Sequence, residues 1–438
     1  MALIVQKYGG SSVSDVEAIK RVAKRIVETR NAGHKLVVVV SAMGDTTDEL
    51  LDTAAQITDN APEREMDILL TAGERISMSL LSMAINQLGV PAQAFTGAQA
   101  GIHTTSAYGR AQITCMVPER IARSISEGQV AIVAGFQGIS DDDDVTTLGR
   151  GGSDTTAVAL AAALHADVCE IYTDVDGLFS ADPRIVPKAH RLRSISTEET
   201  LELAAHGAKI LHLRAVEFAR RYKVPLHVRS SFSEKEGTWI SDRPASPALK
   251  GMVPDAAFLD PKEGQMEQPI ISGIAHDRGQ DKITVAGVPN HPGRAAMVFQ
   301  TIAAAGANID MIVQNIPVAD PTRANITFTI PEADAQVALD ALESAKDEIG
   351  FKEVRYNPNI GKLSLVGTGM RTNPGVAARL FAALSEAGIN IDLISSSEIR
   401  LSIVTKLDDL DRAVAVVHSA FGLDAEVSEA VVYAGTGR

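Results

Sequence analysis

Cysteine is scarce in this sequence. Its 438 residues include two cysteines, Cys115 and Cys169, which lie far apart and show no metal-site spacing. Two distant thiols cannot build a disulfide framework, so we expect reduced, buried thiols in a cytosolic protein. The ten histidines form no HxxxH pattern, which argues against a structural zinc site. No residue is predicted to be a metal ligand.

Positive charge is also in deficit. Lys and Arg number 41 against 55 Asp and Glu, which gives a formal net charge of −14. Such a balance argues against nucleic acid or an anionic membrane as the main partner. Long apolar runs are missing as well, since no run approaches membrane-spanning length and the N-terminus lacks the pattern of a signal peptide. We therefore expect a cytoplasmic protein that binds neither membrane nor nucleic acid.

Short apolar runs rich in β-branched residues recur through the first half of the chain. The clearest lie at residues 3–6, 36–40, 130–134, 168–172 and 226–229. Apolar residues at helical spacing follow some of these runs. The alternation predicts an α/β domain with a largely parallel sheet, whose ligands bind beyond the carboxyl ends of the strands. Gly73-Glu74-Arg75 interrupts one predicted helix, and either a functional site or a solvated ion pair explains it.

A glycine-rich stretch at residues 148–156 is the strongest local candidate for a ligand site. Gly151 and Gly152 allow a tight turn and a close approach of the backbone to a ligand. Ser153 or Asp154 is expected to cap the following helix, whose first N–H groups would face an anion. Arg150 adds a planar fork suited to a carboxylate or phosphate. The alternative is an ordinary glycine turn followed by a helix cap.

The C-terminal part of the chain contains an internal repeat. Pro292-Gly293 recurs as Pro374-Gly375, and the turn Asn308-Ile309-Asp310 recurs as Asn390-Ile391-Asp392. This self-similarity indicates a duplicated module. Each copy has the βαββαβ order of a ferredoxin-like sandwich. Prolines cluster between residues 230 and 269, so we place the domain boundary there. The predicted domains are residues 1–250, 268–348 and 349–438.

Five motifs in chain order resemble those of aspartokinases. They are Lys7-Tyr8-Gly9-Gly10-Ser11-Ser12, Ser41-Ala42-Met43-Gly44, Thr71-Ala72-Gly73-Glu74, Gly149-Arg150-Gly151-Gly152-Ser153-Asp154 and Tyr172-Thr173-Asp174-Val175-Asp176-Gly177. The repeated modules are similar to ACT domains, which bind amino acids in many biosynthetic enzymes. The resemblance covers nearly the whole chain and implies an amino-acid-kinase α/β/α sandwich followed by two ferredoxin-like ACT domains. The pattern most resembles the Lys- and Thr-sensitive aspartokinases of high-GC Gram-positive bacteria.

This resemblance implies phosphorylation of the side-chain carboxylate of L-aspartate by ATP and Mg²⁺. Lys7 and Asp154 would be catalytic, with Lys7 contacting the transferred phosphoryl group. The implied aspartate-binding residues are Ser41, Thr47, Glu74, Arg150, Gly152 and Ser153. The implied nucleotide-binding residues are Lys7, Tyr8, Gly9, Gly10, Thr173, Asp174, Phe179, Ser180, Ala181, Asp182, Pro183, Arg184 and Lys209. A carboxylate nucleophile is already ionised near neutral pH, so the reaction requires no strong general base.

The ACT resemblance implies feedback inhibition by lysine and threonine acting together, in an oligomer. The implied effector residues are Asp277, His291, Asn308, Ile309, Asp310, Gln314, Asn373, Asn390, Ile391 and Glu398. Related enzymes also make a separate regulatory chain from an internal start, for which Met252 is the candidate. The alternative is that a module serves only for dimerisation and binds no effector.

Two other functions stay open at the level of sequence. Another kinase of the same fold would act on glutamate, acetylglutamate, carbamate or a nucleotide, but such enzymes lack the ACT pair and the Lys7 motif. A non-catalytic amino-acid sensor built on an inactive kinase is expected to lose Lys7, Glu74 or Arg150, and all three are present. A hydroxamate assay across candidate acids separates these possibilities.

Overall fold

A computed structural model describes residues 1–208, 210–242, 247–249, 270–368, 370, 373, 375–426 and 431–433. These residues form two compact units. The first unit contains residues 1–183, the described residues from 187 to 249, and the described residues from 425 onwards. The second unit contains the described residues from 270 to 424 together with Arg184–Val186. Lys209 and Met252, both singled out in the sequence, lie outside the described residues.

The first unit is built on one large sheet and one small sheet. Its strands are β1 (Leu3–Tyr8), β2 (Lys35–Val40), β3 (Ala92–Phe95), β4 (Ile102–Thr104), β5 (Ile113–Met116), β6 (Val130–Ala134), β7 (Gln137–Ile139), β8 (Val145–Thr147), β9 (Val168–Thr173), β10 (Ser194–Ile195), β11 (Leu226–Ser230) and β12 (Thr238–Ile240). Its helices are α1 (Val16–Asn31), α2 (Thr46–Ala55), α3 (Glu63–Leu70), α4 (Ala72–Gln87), α5 (Glu119–Ser126), α6 (Gly152–Ala163), α7 (Thr197–Ala205) and α8 (Leu213–Tyr222). The large sheet has the strand order β10-β12-β11-β9-β1-β2-β6-β3, and the small sheet has the order β5-β4-β7-β8.

The centre of the large sheet is parallel, as the sequence predicts. Strand β1 pairs in parallel with β2 on one side and with β9 on the other. The five predicted strands are all present, and their β-branched residues are buried on both faces because helices cover both faces. The short strands β4, β5, β7 and β8 of the small sheet were not predicted, because runs of three or four residues carry little periodic signal.

Helices cover the two faces of the large sheet, which gives the expected α/β/α sandwich. Helices α1 and α4 supply Ile19, Ile26 and Leu81 to one core that also contains Ile4 and Val38 of the sheet. Helix α6 lies against β1, β2 and β9, and α8 packs on α6. Neighbouring side chains of a strand face opposite cores, so alternate residues of β1 point toward α1 or toward α6.

One helical segment is long and apolar enough to cross a membrane by length and composition, contrary to the expectation from the sequence. Within Glu63–Gln87, a window of 18 residues has a mean hydropathy of 1.4, and 44% of that window is buried inside the structure. The segment comprises α3 and α4 and carries two buried carboxylic acids, Asp67 and Glu74. Such groups are costly within a bilayer, so we assign the segment to the core of the first unit.

Two local predictions are wrong. Helix α6 is preceded by Gly151 in the left-handed conformation, with φ of 70°, so Ser153 and Asp154 lie inside its first turn and do not cap it. A Cβ on Gly151 would overlap the ring of His212, which explains the glycine. Cys115 is exposed because β5 is an edge strand, whereas Cys169 on the central strand β9 is buried as expected.

The second unit contains two four-stranded sheets. Its strands are β13 (Ile270–Asp277), β14 (Gln280–Pro289), β15 (Ile312–Asn315), β16 (Arg323–Pro331), β17 (Glu353–Asn357), β18 (Ile360–Thr368), β19 (Leu393–Ser396) and β20 (Arg400–Lys406). Its helices are α9 (Arg294–Ala304), α10 (Glu332–Ser344), α11 (Lys346–Ile349), α12 (Gly375–Glu386) and α13 (Leu410–Ala420). The sheet orders are β15-β16-β14-β17 and β13-β18-β20-β19, the order expected of ferredoxin-like modules.

The two modules share strands in a way that the repeat does not reveal. Strand β13 precedes the first repeat in the chain, yet it pairs with β18 of the second module over Ile270 to Asp277. Strand β17 completes the first module by pairing with β14. The predicted boundary at residues 348 and 349 therefore does not follow the sheets. The described residues beyond 424 belong to the first unit, and β13 fills the edge position that a final strand of the second repeat would take.

A reciprocal pair of salt bridges joins the modules. Lys282 on β14 of the first module lies 2.6 Å from Asp392 of the second. Lys362 on β18 of the second module lies 2.6 Å from Asp310 of the first. The two lysines occupy equivalent positions of the repeat, as do the two aspartates. Each module therefore holds the repeated Asn-Ile-Asp turn of the other through a lysine, and Lys362 is buried, with 1% of its surface exposed.

Candidate active site

A cavity of about 650 Å³ opens in the first unit beyond the carboxyl ends of β1, β2 and β6. This is the edge at which parallel sheets bind ligands. The predicted residues that line it are Lys7, Gly10, Ser41, Thr47, Glu74, Arg150, Gly152, Ser153 and Asp154. All residues predicted for aspartate binding or catalysis therefore meet at one cavity, although they come from five separate stretches of the sequence.

An ion pair lies at the base of this cavity. The Lys7 ammonium nitrogen is 2.7 Å from Asp154 Oδ1, and the two side chains are 13% and 11% exposed. Lys7 is part of β1 and not of the turn that follows it, so the sheet fixes its backbone. Asp154 lies in the first turn of α6. The carboxylate thus holds the ammonium group in place, while both side chains remain on the cavity wall.

Glu74 is a buried carboxylic acid with unused hydrogen-bonding capacity. Its side chain follows the break between α3 and α4, and the residue is 3% exposed. Oε1 accepts a hydrogen bond from the Ala42 backbone N–H at 3.1 Å, while Oε2 has no partner among the described residues. Burial raises the pKa of Glu74 to about 7. Because Arg75 is exposed and Glu74 is buried, the solvated ion pair considered from the sequence is wrong.

The glycine turn before α6 presents Arg150 at the mouth of the cavity. Arg150 is exposed and lines the cavity. The turn runs through Gly149 and Gly151, both with positive φ. The Gly152 N–H donates to the Gly149 carbonyl at 3.0 Å. These conformations are accessible to glycine at little cost, so the arginine projects from a tight, backbone-bonded loop.

Gly10 brings two cavity loops into close contact. Its carbonyl accepts a hydrogen bond from the Gly44 N–H at 3.2 Å. A Cβ at Gly10 would lie 3.0 Å from the Gly44 carbonyl oxygen and 3.1 Å from that of Ala42. The loop after β1 and the loop after β2 therefore meet at this position, and a larger residue would push them apart.

The residues predicted for nucleotide binding are spread over a wider region than those predicted for aspartate binding. Tyr8 is fully buried and stacks on Tyr172, with ring centroids 4.6 Å apart, so its side chain belongs to the core. The Asp174 carbonyl accepts a hydrogen bond from the Tyr433 N–H at 3.0 Å. Of the predicted residues in the following loop, Phe179, Ser180 and Ala181 are buried. Arg184 belongs to the second unit, and the nucleotide role of this set stays a prediction.

Sequence reasoning missed several residues that line the cavity. They include Asp67, Phe136, Thr147 and Gly44. Asp67 is fully buried and accepts hydrogen bonds from the Thr147 N–H at 2.8 Å and the Thr147 hydroxyl at 2.7 Å. The one feature of the sequence that could have identified Asp67 is its position as a carboxylate within the apolar stretch Met66-Asp67-Ile68-Leu69-Leu70.

The residues predicted to bind effectors do not converge on one cavity in the second unit. Glu398 lines a cavity of about 590 Å³ between α12 and β19, together with Phe381 and Arg400. Asp277 and Asp310 lie 4.0 Å and 2.6 Å from the Lys362 ammonium nitrogen. Asn373 accepts from the Gly375 N–H at 3.2 Å at the start of α12. Asp310 is therefore already paired within the chain.

Comparison with known proteins identifies both units. The amino acid kinase family matches residues 2–230, and the ACT domain family matches residues 283–345 and 363–421. The aspartokinase of Mycolicibacterium smegmatis is 58% identical to this chain over 439 aligned residues, which cover 100% of both sequences.

Solved structures show the same fold. Escherichia coli aspartokinase III in complex with aspartate and ADP, in the R-state, superposes with a TM-score of 0.79 at 24% identity, covering 96% of this chain and 100% of that one. The same enzyme in complex with lysine and aspartate, in the T-state, gives a TM-score of 0.68 at 25% identity, covering 95% and 99%. The amino-acid-kinase and ACT architecture predicted from the sequence is thereby confirmed.

Proposed function

The chain belongs to the aspartokinase family, and we propose that it transfers the terminal phosphoryl group of ATP to the side-chain carboxylate of L-aspartate, yielding 4-phospho-L-aspartate. The observation that carries this proposal is the unpartnered oxygen of buried Glu74 on the same cavity wall as the Lys7–Asp154 ion pair. The cavity thus offers an anion for an ammonium group and a fixed cation for phosphoryl oxygens. It forms part of a cytoplasmic enzyme of amino-acid biosynthesis.

A hydroxamate assay with purified protein and MgATP tests the proposal. Hydroxylamine traps acyl phosphates, and the candidate acids are aspartate, glutamate and N-acetylglutamate. We expect turnover with aspartate and little with the other two, because a longer side chain would displace the reacting carboxylate from Lys7. Turnover of another acid by well-folded protein, with none of aspartate, would contradict the assignment.

Lys7 stabilises the charge that develops on the transferred phosphoryl group. Phosphoryl transfer depends mainly on positioning and on electrostatic stabilisation. The ion pair with Asp154 holds the Lys7 ammonium group before the substrates arrive, so little reorganisation is needed during the reaction. Asp154 acts through Lys7, and the aspartate side chain attacks as a carboxylate without loss of a proton.

Arg150 and Glu74 recognise the two ends of the amino-acid backbone of the substrate. The Arg150 guanidinium suits the α-carboxylate because its planar fork donates two parallel hydrogen bonds. The buried Glu74 carboxylate suits the ammonium group. Ser41, Thr47 and Ser153 line the same cavity and add hydroxyl or backbone donors. With both ends held, the side-chain carboxylate points toward Lys7.

ATP approaches from the side of Gly9 and Gly10, whose N–H groups follow β1. Relatives of the same fold bind ADP, as E. coli aspartokinase III does. Within the described residues, no group of three or more His, Cys, Asp and Glu side chains is placed to hold a metal ion. We therefore assign Mg²⁺ to the nucleotide, where phosphate oxygens and water supply its ligands, and it neutralises phosphate charge.

The raised pKa of Glu74 predicts a pH dependence of aspartate capture. Glu74 must be ionised to bind an ammonium group, and burial raises its pKa to about 7 in the free protein. Below that pH the ionised fraction falls about tenfold per unit, so kcat/KM for aspartate is expected to fall as pH drops from 8 to 6. The same profile for kcat/KM of ATP at saturating aspartate should be nearly flat.

Two variants control this pH measurement. Glu74→Gln should have a low kcat/KM for aspartate with no titration near pH 7. Glu65→Gln removes a carboxylate from the exposed side of α3, where it pairs with Arg64, and should keep the wild-type profile. If kcat/KM for aspartate still falls below pH 7 in Glu74→Gln, a group other than Glu74 titrates, and the assignment is wrong.

The ACT modules of the second unit make this an allosteric enzyme. E. coli aspartokinase III has been solved with lysine. We extend this to lysine and threonine acting together, in a homo-oligomer or with a regulatory chain that starts at Met252. When two ligands favour the same inactive arrangement, each raises the affinity for the other. A two-ligand inhibition matrix tests concerted control, and independent inhibition by the two amino acids would contradict it.

The salt bridge between Asp310 and Lys362 predicts the effect of a regulatory substitution. Asp310→Ala should relieve inhibition while sparing kcat, because residues of the catalytic cavity lie in the other unit. It should also destabilise the second unit by about 2–3 kcal/mol, since it leaves buried Lys362 with Asp277 at 4.0 Å as its remaining carboxylate. Chemical denaturation measures this cost. Glu343→Ala, which removes an exposed ion pair with Lys346, should cost less than about 1 kcal/mol.

A further inference from the structure

Asp67 combines deep burial with a position on the cavity wall. It lies on α3 and has no exposed surface, yet it is among the residues that line the cavity. Its two oxygens accept four hydrogen bonds. The Gly109 N–H is 3.0 Å from each oxygen, and the Thr147 N–H and hydroxyl are 2.8 Å and 2.7 Å from Oδ2 and Oδ1.

These hydrogen bonds hold the loop that carries Arg150. Thr147 is the last residue of β8, and the glycine turn follows directly. Gly109 lies against that turn, because a Cβ on Gly149 would be 3.1 Å from the Gly109 carbonyl oxygen. Asp67 therefore ties α3 to both sides of the turn. The turn cannot move relative to α3 without breaking these bonds.

Arg214 on α8 holds the same loop from the opposite side. Its guanidinium donates to the Leu148 carbonyl at 3.0 Å and to the Ala111 carbonyl at 3.1 Å. Asp67 thus binds donors of Thr147 and Gly109, and Arg214 binds carbonyl acceptors of Leu148 and Ala111, so both charged side chains join the glycine turn to the loop around Gly109. The two charged side chains together fix the base of the turn from which Arg150 projects.

A carboxylate suits position 67 because two backbone N–H groups and one hydroxyl converge on its two oxygens. An ionised aspartate accepts only, with two oxygens and about four lone-pair sites. An asparagine would direct an NH₂ group against at least one backbone N–H. The Gly109 N–H would then keep only one of its two acceptors, and a neutral amide oxygen accepts weaker hydrogen bonds than a carboxylate does, so the loop would be held less firmly.

We propose that Asp67 is a positioning residue for aspartate: it sets the Arg150 loop at the distance that the substrate carboxylate requires. This rests on the proposed function of the cavity. Asp67 makes no contact with the reacting atoms in this role. Its substitution should change the capture of aspartate much more than the capture of ATP, because the residues predicted to bind the nucleotide follow β1 and β9.

The test is a set of kinetic measurements on the full-length enzyme. Asp67→Asn should raise the KM for aspartate by about tenfold or more and leave the KM for ATP within about twofold. Thr147→Val removes one hydroxyl donor and keeps the carboxylate, so it should shift the KM for aspartate in the same direction by about threefold. The double variant should be little worse than Asp67→Asn, because both changes break one network.

Asp144→Asn is the matched control. Asp144, between β7 and β8, bonds Arg64 of α3 at 2.6 Å and accepts a hydrogen bond from the Tyr108 hydroxyl at 2.9 Å, but it does not line the cavity. We expect wild-type KM values for this variant. A merely structural role of Asp67 predicts a lower melting temperature with both KM values unchanged, and that result would overturn the proposal.

The outcomes separate this proposal from the function on which it rests. A wild-type enzyme that does not phosphorylate aspartate refutes the proposed function before any variant is measured. If Asp67→Asn does not fold, Thr147→Val decides, and an unchanged KM for aspartate in that variant refutes the positioning role. Equal increases in the KM for aspartate and for ATP would also refute it.

Discussion

Lys7→Ala is expected to lower kcat by about a hundredfold or more while leaving the KM for aspartate within a few-fold. The Lys7 ammonium group is fixed at 2.7 Å from Asp154 on the cavity wall, and the charge on the transferred phosphoryl group grows in the transition state. Loss of one preorganised charge-stabilising group typically costs two to three orders of magnitude in rate, about 2.7–4 kcal/mol. A loss confined to the transition state lowers kcat and kcat/KM equally.

Two variants make the Lys7 measurement specific. Lys20→Ala breaks an ion pair of the same 2.7 Å length with Glu17 on the exposed face of α1, and it should keep wild-type kinetics. Asp154→Asn keeps the shape but weakens the hold on Lys7, so its kcat should fall less than that of Lys7→Ala. If Lys7→Ala raised KM for ATP and left kcat intact, Lys7 would be a binding residue with no catalytic part.

Arg150→Ala is expected to raise the KM for aspartate by about tenfold to a hundredfold, with ATP binding little changed. A hydrogen bond to a charged group contributes about 1.5–3 kcal/mol, and Arg150 would form two to the α-carboxylate. Arg150 is exposed at the cavity mouth and makes no ion pair that the structure records among the described residues, so its removal should disturb the fold little. Initial rates at varied aspartate and varied ATP measure the two constants.

Arg150→Lys separates the effect of the positive charge from the effect of the planar guanidinium group. A lysine keeps the positive charge but cannot donate two parallel hydrogen bonds from one plane. We expect it to recover only part of the lost aspartate affinity. The exposed Arg123 on α5 provides a surface control, since Arg123→Ala should leave both KM values unchanged. Equal weakening of aspartate and ATP in Arg150→Ala would place the guanidinium nearer the nucleotide.

Much of the site was predictable because it is built at strand ends. A run such as Leu36 to Val40 can be buried on both faces only within a parallel sheet covered by helices, and the turns after such strands meet at one edge. Lys7, Ser41 and the glycine stretch before α6 are close in space for this reason. Glu74 was detectable as a charge in an apolar helix, and its burial excludes the solvated ion pair.

The remaining features depend on contacts that no local pattern encodes. Asp67 stands out in the sequence only as a carboxylate in an apolar stretch, and its partners appear only when β8 and the Gly109 loop place three donors around it. The prediction that Ser153 or Asp154 caps α6 was wrong because Gly151 precedes the helix and packs against His212, a residue remote in sequence. Strand β13 has a pattern that suits either ACT sheet, and only the three-dimensional structure shows that it joins the second.

The most direct test of the central claim is to identify which carboxylate of aspartate is phosphorylated. The enzyme is incubated with MgATP and aspartate, and the acyl phosphate is reduced with borohydride, which converts the activated carboxyl carbon to an alcohol. Arg150 on the α-carboxylate and Lys7 near the side chain predict homoserine as the product. Recovery of 3-amino-4-hydroxybutyrate, formed by reduction at the α-carboxyl carbon, would contradict the proposed orientation, and recovery of neither alcohol from folded protein would contradict the kinase activity.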